Sequence, residues 1–367
     1  MDIREFLKDE AIRHPSLQPQ DAVKLCFQAA FGAEHLLLDV DRARGYFYKE
    51  FEQFGTGDNK DNTQGLIEPI SPEVDRVNLA AWKRMNLPPG WLFNLFAESM
   101  NAGELLSSAD NIAVFEQLMS QAESLAKGGT VFPFSFDAWK SYVQDYGGKS
   151  GDGKPVLLHH SEEYRQKERP AYRIISGHFR QIIPVLMQIA DLNLDGGIIA
   201  VDGRAAAGKT TIAKMLAPVI GGEVIHMDDF FLPEEMRTPE RLAEAGGNIH
   251  YERFTQEVLS NLGGSGDREF SYRIFDCRLM DFSGIRIIGP QSKFPWRIVE
   301  GAYSHHPTFG DYMDFRLFAN VDPAVQLKRI EKRNGKKIAE MYASRWIPME
   351  EKYFEEYKIN EKAALVL

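Results

Sequence analysis

The segment that most constrains this chain lies just past its middle, where a short apolar run leads directly into a turn bounded by two glycines. The run, residues 198–201, has the length and β-branched content of a buried strand and stops at Asp202. The eight residues that follow, 203–210, fit the pattern G-x-x-x-x-G-K-[ST]. Helical spacing then continues over residues 209–217, up to Pro218. The segment therefore predicts a strand, a tight loop and a helix in immediate succession.

A loop of this composition favours phosphate binding. The two glycines let the backbone bend so that successive N–H groups point inward, and the helix that begins near Lys209 adds the positive end of its dipole. We expect Lys209 to contact the β- and γ-phosphates of ATP and the Thr210 hydroxyl to bind the Mg²⁺ that bridges them. The residues predicted to bind the nucleotide are Gly203, Arg204, Ala205, Ala206, Ala207, Gly208, Lys209, Thr210 and Thr211.

Length and composition limit the class of protein. A chain of 367 residues with 44% hydrophobic content can bury more than one core, and we predict two domains, residues 1–192 and 193–367. No window resembles a membrane span, and the charged N-terminal segment does not resemble a signal peptide. Two widely separated cysteines predict neither a disulfide framework nor a zinc site, so we expect a cytoplasmic protein. A net charge of −10 argues against nucleic acid or an anionic membrane as the partner.

The first domain shows mostly helical periodicity. Ser71, Pro72 and Glu73 provide a capping hydroxyl, a proline suited to the first helical position and a first-turn carboxylate, and therefore predict a helix start. The polar run 55–65 is predicted to be a mobile surface loop, and 147–155 a flexible connector. A further helix, 177–190, is predicted before the phosphate loop. The helices predicted within the first domain are residues 3–13, 19–31, 41–54, 71–85, 90–100, 110–126 and 135–146.

Two histidine groups in this domain are candidate sites. His35 and Asp39 lie one helical turn apart and could form a ligand pair, with a capped histidine between helices as the alternative. His159 and His160 would need a third ligand at a defined spacing to hold a metal, and the sequence offers none. We therefore predict a structural or interdomain role for this second pair.

The second domain alternates strands and helices, which predicts an α/β fold with a doubly wound parallel sheet. The predicted strands are residues 198–202, 223–228, 297–300, 315–321 and 364–367. The predicted helices are residues 209–217, 251–262, 323–333 and 348–357.

Carboxylates follow two of these strands. Asp228 and Asp229 end one, and Glu300 ends another. Because ligands of open parallel sheets bind at the carboxyl ends of the strands, we expect these side chains beside the phosphate loop. One could accept a proton from an attacking hydroxyl while another holds Mg²⁺. An ATPase needs only the metal carboxylate and a group that positions water, whereas a kinase needs the additional base.

These motifs resemble the uridine kinase and phosphoribulokinase group of P-loop kinases over most of residues 197–367. In that group one strand ends in Asp-x-Phe-Tyr, where this chain has Asp228 followed by Asp229, Phe230 and Phe231. The resemblance implies that Asp228 is the general base, with a helix N-cap as the alternative. A second strand of the group ends in Glu-Gly, which Glu300 matches, and this implies a Mg²⁺-linked carboxylate, with an ordinary strand-end carboxylate as the alternative.

The group also carries an arginine-rich helix that leads into a lid. Arg329 and Arg333 lie one turn apart in the corresponding segment and share a face. They could bind phosphate oxygens and neutralise charge as the γ-phosphoryl group departs, so we predict a catalytic role for both. The alternative is a solvated basic face paired with Glu331. Arg345 is a weaker lid candidate.

The resemblance is weaker at the acceptor site. Nucleoside kinases of the group use Asn-Phe-Asp-His-Pro to bind ribose hydroxyls, but His250 stands here where that Asp would fall, and Cys277 stands about where a base-contacting His would fall. The tentative substrate residues are Asp229, His250, Tyr251, Arg253 and Tyr272. Clustered arginines suggest an acceptor with an anionic group, with a surface rich in ion pairs as the alternative; they are Arg237, Arg241, Arg253, Arg273 and Arg278.

The leading hypothesis from sequence is therefore a Mg²⁺- and ATP-dependent kinase that phosphorylates a hydroxyl of a small metabolite. A uridine-like nucleoside is the first acceptor considered, and a sugar phosphate or another anionic alcohol is the second. The rival hypothesis is a nucleotide-dependent switch whose helical domain binds a partner. In a third reading, the helical domain of a kinase selects the acceptor or forms a homo-oligomer.

Overall fold

The computed structural model describes residues 3–32, 39–53, 65–101, 109–146, 158–262 and 267–367. The chain forms two compact units, Met1–Ile183 and Pro184–Leu367. The boundary between them falls at the start of helix Ile183–Asp191, whereas the sequence placed it after that helix, near residue 192. Among the described residues, no helix is both long and apolar enough to cross a membrane. The polar run 55–65 and the predicted connector 147–155 lie almost wholly outside the described residues, and His35 lies outside them as well.

The first unit is mainly helical, as predicted. Six of its seven predicted helices are confirmed with ends within two residues of the expected ones, because their apolar faces recur at helical spacing. The helices of this unit are α1 Ile3–Arg13, α2 Pro19–Phe31, α3 Val40–Gln53, α4 Leu79–Arg84, α5 Pro89–Asn101, α6 Ala109–Gly128, α7 Phe136–Tyr146 and α8 Glu162–Lys167.

The seventh prediction, a helix over residues 71–85, is wrong. The segment instead contains the end of strand β1 (Ile67–Ser71), strand β2 (Val74–Asn78) and helix α4. The two strands pair antiparallel around Pro72 and Glu73, since a proline suited to a first helical turn suits the second position of a tight turn equally well. The helix starts later, where the Asn78 side chain accepts a hydrogen bond from the Ala81 N–H at 2.9 Å. Strand β3 (Tyr172–Ser176) completes this three-stranded sheet.

A buried polar network joins α2, α8 and β3. Asp21 is fully buried and accepts hydrogen bonds from the Ser161 N–H at 2.9 Å and the Ser161 hydroxyl at 2.7 Å. His160 lies 2.9 Å from Asp21 through Nδ1 and 2.6 Å from the Tyr172 hydroxyl through Nε2. These contacts account for His160 as a structural residue within the first unit. His159 contributes its carbonyl, which accepts a hydrogen bond from the Gln20 side chain.

The second unit is built on a five-stranded parallel sheet, which confirms the predicted α/β class. The strand order is β10-β9-β4-β8-β5, with β4 at the centre. All four neighbouring pairs run parallel. These strands are β4 Gly197–Gly203, β5 Gly222–His226, β8 Trp296–Glu300, β9 Phe315–Ala319 and β10 Leu365–Val366. An antiparallel hairpin that the sequence did not predict consists of β6 Phe270–Asp276 and β7 Asp281–Ile288.

Helices flank this sheet, and three of the predicted helices differ from expectation. Residues 177–190, predicted as one helix, form the 3-10 helix Gly177–Ile182 followed by the α-helix Ile183–Asp191. The helix after the phosphate loop continues through Pro218, because Val219 and Ile220 extend its buried face, and it ends at Gly221 in the left-handed conformation. The predicted helix 251–262 contains a π-helical turn at Thr255–Leu259. The helices are α9 Ile183–Asp191, α10 Lys209–Ile220, α11 Pro239–Ala243, α12 Tyr251–Phe254, α13 Ser260–Leu262, α14 Pro323–Asn334, α15 Lys336–Met341 and α16 Ile347–Tyr357. A 3-10 helix, Gly177–Ile182, precedes α9.

Candidate active site

The loop between β4 and α10 has the backbone conformation that its glycines predict. Gly203 has φ 139° and Gly208 has φ 99°, values that favour glycine, and Ala206 has φ 58°. A Cβ atom at Gly203 would overlap the carbonyl oxygen of Ala319 on the neighbouring strand, so this glycine is also required for close packing. Gly208 caps α10 and places the helix N-terminus at the end of the loop. The predicted phosphate loop is therefore formed.

Asp202 fixes the start of the loop through hydrogen bonds. Its carboxylate is fully buried and accepts hydrogen bonds from the N–H groups of Gly203 at 2.7 Å and His305 at 2.9 Å. The hydroxyl of Tyr353 donates to the same carboxylate at 2.7 Å. This single side chain thus ties the end of β4 to the segment after β8 and to helix α16.

Lys209 lies folded over the loop. Its ammonium group donates to the carbonyls of Gly203 at 2.7 Å and Arg204 at 2.9 Å. Both acceptors belong to the loop itself, so the ammonium charge is held against the loop. The Arg204 side chain is bound elsewhere, to Asn320 at 2.9 Å and to Glu351.

The side chains of Thr210 and Glu300 contact each other beside the loop. The Thr210 hydroxyl donates to the two carboxylate oxygens of Glu300, at 3.1 and 3.0 Å. His226, at the end of β5, lies 2.5 Å from Glu300 through Nδ1. Glu300 is buried, and these two partners hold its carboxylate at the carboxyl ends of adjacent strands.

A cleft of about 800 Å³ brings the predicted catalytic residues together. Lys209, Thr210, Asp228 and Glu300 all line it. The Asp228 side chain is exposed to solvent in the cleft, yet the residues that line the cleft displace much of the water that would stabilise its charge. This desolvation and the nearby charge of Glu300 raise the pKa of Asp228, while Lys209 acts in the opposite direction. The remaining solvent contact limits the size of that effect.

The donor set fits Mg²⁺. A threonine hydroxyl and a carboxylate are hard oxygen ligands, and Mg²⁺ in nucleotide sites takes few protein ligands because water and phosphates supply the others. The described residues contain no cluster of three or more His, Cys, Asp or Glu side chains arranged to hold a metal by themselves.

The two predicted lid arginines also line the cleft. Arg329 on α14 donates to the carbonyl of Ala206 at 3.1 Å and thus reaches the loop directly. Arg333, one turn later, lies at the cleft wall and donates to the Asn334 side chain at 2.8 Å. Both arginines therefore line the same cleft as Lys209 and Asp228.

The tentative substrate residues are divided. Asp229 lines the cleft and lies 3.3 Å from Arg286. The other four lie in its supporting walls, outside the set of residues that line it: His250, Tyr251, Arg253 and Tyr272. His250 caps a helix by accepting from the Arg253 N–H at 3.3 Å, and the buried Tyr272 hydroxyl accepts from the His226 N–H at 3.2 Å. Their contact with an acceptor stays a prediction.

Sequence reasoning missed part of the cleft. The hairpin β6–β7 contributes residues because its fold brings them over the strand ends, and helix α16 contributes a buried carboxylate from far along the chain. Composition alone gives no signal for either. The lining residues for which the sequence suggested no role include Asn248, Tyr342, Trp346 and Glu350.

Among the solved structures that are similar to this chain, two are described as kinases. A possible uridine kinase from Bacillus stearothermophilus is 20% identical, with a TM-score of 0.37, and the match covers 52% of this chain and 98% of that one. A protein described as a fructose transport system kinase from Silicibacter sp. TM1040 is 21% identical, with a TM-score of 0.39, covering 49% and 95%. No family model and no curated protein matches the chain. The parallel strand order and the loop geometry of the second unit are themselves those of a P-loop NTPase-type fold.

Proposed function

We propose that this protein is a Mg²⁺- and ATP-dependent kinase that transfers the γ-phosphoryl group to a hydroxyl of a small molecule. The observation that carries the proposal is the convergence of Lys209, Thr210, Asp228 and Glu300 on one cleft beside the phosphate loop. A hydrolase needs only the loop and a metal carboxylate, whereas Asp228 adds a second carboxylate that is free of the metal pair. That extra group supports transfer to an acceptor.

The reaction follows from where these groups lie. Bound Mg²⁺ would neutralise phosphate charge, and Thr210 and Glu300 would hold it. Lys209 and Arg329, both in contact with loop carbonyls, would bind and orient the phosphates. Asp228 in its ionised form would accept the proton of the attacking hydroxyl. Arg333 would add positive charge as the phosphoryl group transfers.

The arginines near the acceptor end favour an anionic alcohol over a neutral nucleoside. Three of the five clustered arginines bind other groups of the protein and lie outside the lining of the cleft. Arg241 donates to two carbonyls and lies over the Tyr251 ring, Arg253 is buried against backbone oxygens, and Arg273 pairs with Glu257 at 2.6 Å. The other two line the cleft: Arg278, and Arg237, whose Nε also donates to the carbonyl of Leu232 at 2.9 Å. Two guanidinium groups at this end support an acceptor with a phosphate or carboxylate group. The uridine-like nucleoside is kept as the competing candidate.

Measurement of ADP release over matched acceptors tests the proposal. The panel pairs neutral alcohols with anionic counterparts, such as ribose with ribose 5-phosphate and glycerol with glycerate, and includes uridine. We expect turnover to rise with at least one acceptor, and more with the anionic member of a pair. Steady ATP hydrolysis that no acceptor stimulates would favour the nucleotide-dependent switch. The absence of saturable Mg·ATP binding would overturn both.

We further propose a cytoplasmic enzyme that acts on a small molecule and not on nucleic acid. The acidic net charge of −10 and the sparse use of cysteine support this. The helical first unit could serve in acceptor choice or in forming a homo-oligomer. Removing or replacing this unit, and then measuring the KM for the acceptor and the native mass of the protein, would test these roles.

A further inference from the structure

Glu350 on α16 is a buried carboxylate beside the phosphate loop. Its side chain accepts a hydrogen bond from the Ala205 N–H at 3.0 Å, and only 7% of the residue is exposed. The helix that carries it is fixed by Tyr353, one turn later, through the bond to Asp202 beneath the loop. Glu350 also lines the same cleft as Lys209 and Asp228. A side-chain anion thus occupies a main-chain donor of the loop that is proposed to bind phosphate.

We propose that Glu350 is a positioning residue of the phosphate loop and that it takes up one proton when a nucleotide binds. The inference rests on the proposed nucleotide-binding function of the loop. The proton passes from solvent or buffer to one carboxylate oxygen of Glu350, while the other oxygen continues to accept from the Ala205 N–H. No other bond forms or breaks in this step.

The reason is electrostatic. A nucleotide brings several negative charges into a cleft whose wall already contains a buried carboxylate, and protonation of that carboxylate removes the repulsion. The loop hydrogen bond survives because a protonated carboxyl group retains an acceptor oxygen. Glu350 can therefore hold the loop in position and still allow the anionic nucleotide to bind.

The groups that face Glu350 make this protonation accessible near neutral pH. Burial and the carboxylates of Asp202 and Asp228 raise the pKa of Glu350 to about 7, although Lys209 and the Ala205 N–H oppose the rise. The two tyrosines that face it, Tyr303 and Tyr342, have pKa values raised above the ordinary value and remain neutral. On the same helix, Glu351 is paired with Arg204.

Calorimetry of MgADP binding to the full-length chain measures the uptake. Titrations at pH 6, 7 and 8, each in two buffers of different ionisation enthalpy, give the number of protons bound with the nucleotide. We expect almost none at pH 6, about half a proton at pH 7, and close to one at pH 8. Glu350→Gln keeps the acceptor oxygen and cannot titrate, so this share of the uptake should be missing. Its MgADP affinity should also lack a fall of up to about tenfold per pH unit above pH 7.

Two further variants separate positioning from a general structural role. Glu350→Ala removes the acceptor for the Ala205 N–H and should bind MgADP more weakly than Glu350→Gln at every pH. Glu355→Gln, on an exposed position of the same helix, should match the wild type. The ionisation of ADP itself cancels when variants are compared.

Equal proton uptake by the wild type and Glu350→Gln would overturn the proposal, as would zero uptake by the wild type at pH 8, a result that does not depend on any variant. Either outcome with saturable binding leaves the proposed function intact. A lack of saturable binding by the wild type would overturn both.

Discussion

The hydroxyl of Thr210 lies within hydrogen-bond distance of both carboxylate oxygens of Glu300, although ninety positions separate the two residues in the chain. Thr210 lies in the first turn of α10, and Glu300 ends β8, the strand between β4 and β5 in the sheet. Their meeting is a consequence of the parallel sheet, which gathers strand ends at one edge. It places two oxygen-bearing side chains next to the loop, where the proposed Mg²⁺ site would use them as ligands.

Loss of the Thr210 hydroxyl should therefore weaken Mg²⁺ binding specifically, so that turnover requires more Mg²⁺. We expect Thr210→Val, which keeps the shape of the side chain, to raise the Mg²⁺ concentration for half-maximal activity by about tenfold or more, because a ligand is lost. Thr210→Ser keeps the hydroxyl and should stay near the wild type. A titration of activity with Mg²⁺ at fixed ATP measures this. The same Mg²⁺ dependence in both variants would remove Thr210 from the metal site.

Asp228→Asn should separate catalysis from nucleotide binding. General base catalysis contributes a factor on the order of 10² to 10⁴, and we expect kcat to fall by that amount while nucleotide affinity changes little. The pKa of Asp228 is raised, so in the wild type activity should fall as pH drops and the carboxylate takes up its proton. Rapid-mixing kinetics and equilibrium MgADP binding measure the two quantities. A collapse of binding in Asp228→Asn would assign this residue to the metal or the phosphates instead.

The two loop glycines should differ in their tolerance of alanine. A Cβ at Gly203 meets the Ala319 backbone, whereas a Cβ at Gly208 meets open space among the described residues and adds only the strain of a positive φ. We expect Gly208→Ala to destabilise the second unit by about 1–2 kcal/mol, and Gly203→Ala by clearly more. Urea unfolding, monitored by hydrogen exchange of strand Gly197–Gly203, measures the difference in the free energy of unfolding. Equal losses would show that contact with Ala319 does not constrain the loop.

Arginine substitutions test the acceptor class. If the acceptor is anionic, Arg237→Ala and Arg278→Ala should each raise its KM by about tenfold or more, since charge-assisted hydrogen bonds contribute about 1.5–3 kcal/mol. The KM for ATP should change little. Arg273→Ala is the matched control, because Arg273 belongs to the same cluster but pairs with Glu257 outside the cleft lining. Parallel effects in all three variants would point to a general loss of positive charge.

What the sequence predicts well in this chain is what short segments encode. The phosphate loop follows from glycine sterics and an adjacent lysine, and the position of Glu300 follows because strands of a parallel sheet end at one edge. Asp228 reaches the same cleft, but the strand predicted over residues 223–228 ends at His226 and Asp228 lies in the 3-10 helix Met227–Phe230 that follows. Glu350 could not be found this way, since it meets Ala205 only through the packing of α16. The helix predicted over residues 71–85 failed because Pro72 suits a turn as well as a helix start.

The acceptor end shows the same limit. Five arginines look equivalent in the sequence, and only packing decides that Arg237 and Arg278 line the cleft while the other three lie outside its lining. Side-chain direction within an insertion of short helices and a hairpin depends on contacts between distant segments, and periodicity carries no information about them.

The His160 network should make the first unit sensitive to acid. Burial, aided by Lys24, lowers the pKa of His160 to about 4 from an ordinary value of 6.5, although the bond to Asp21 opposes this. The neutral ring donates to Asp21 and accepts from Tyr172, and the unfolded chain binds the proton more tightly than the folded one. The stability from this group is therefore fully present above pH 6.5 and is lost as the pH falls toward 4, by about 3 kcal/mol.

Hydrogen exchange of α2 and β3 measures that loss once intrinsic exchange rates are corrected. In the wild type, protection should fall between pH 6.5 and pH 4, whereas His160→Gln cannot take up this proton and should show a flatter profile from a lower starting stability. A peptide from strand Gly197–Gly203 of the second unit reports any general effect of acid. Matching slopes in the wild type and His160→Gln would show that the imidazole is not the group whose protonation destabilises this unit, and would leave Asp21, which shares the network, as the carboxylate to test by the same measurement.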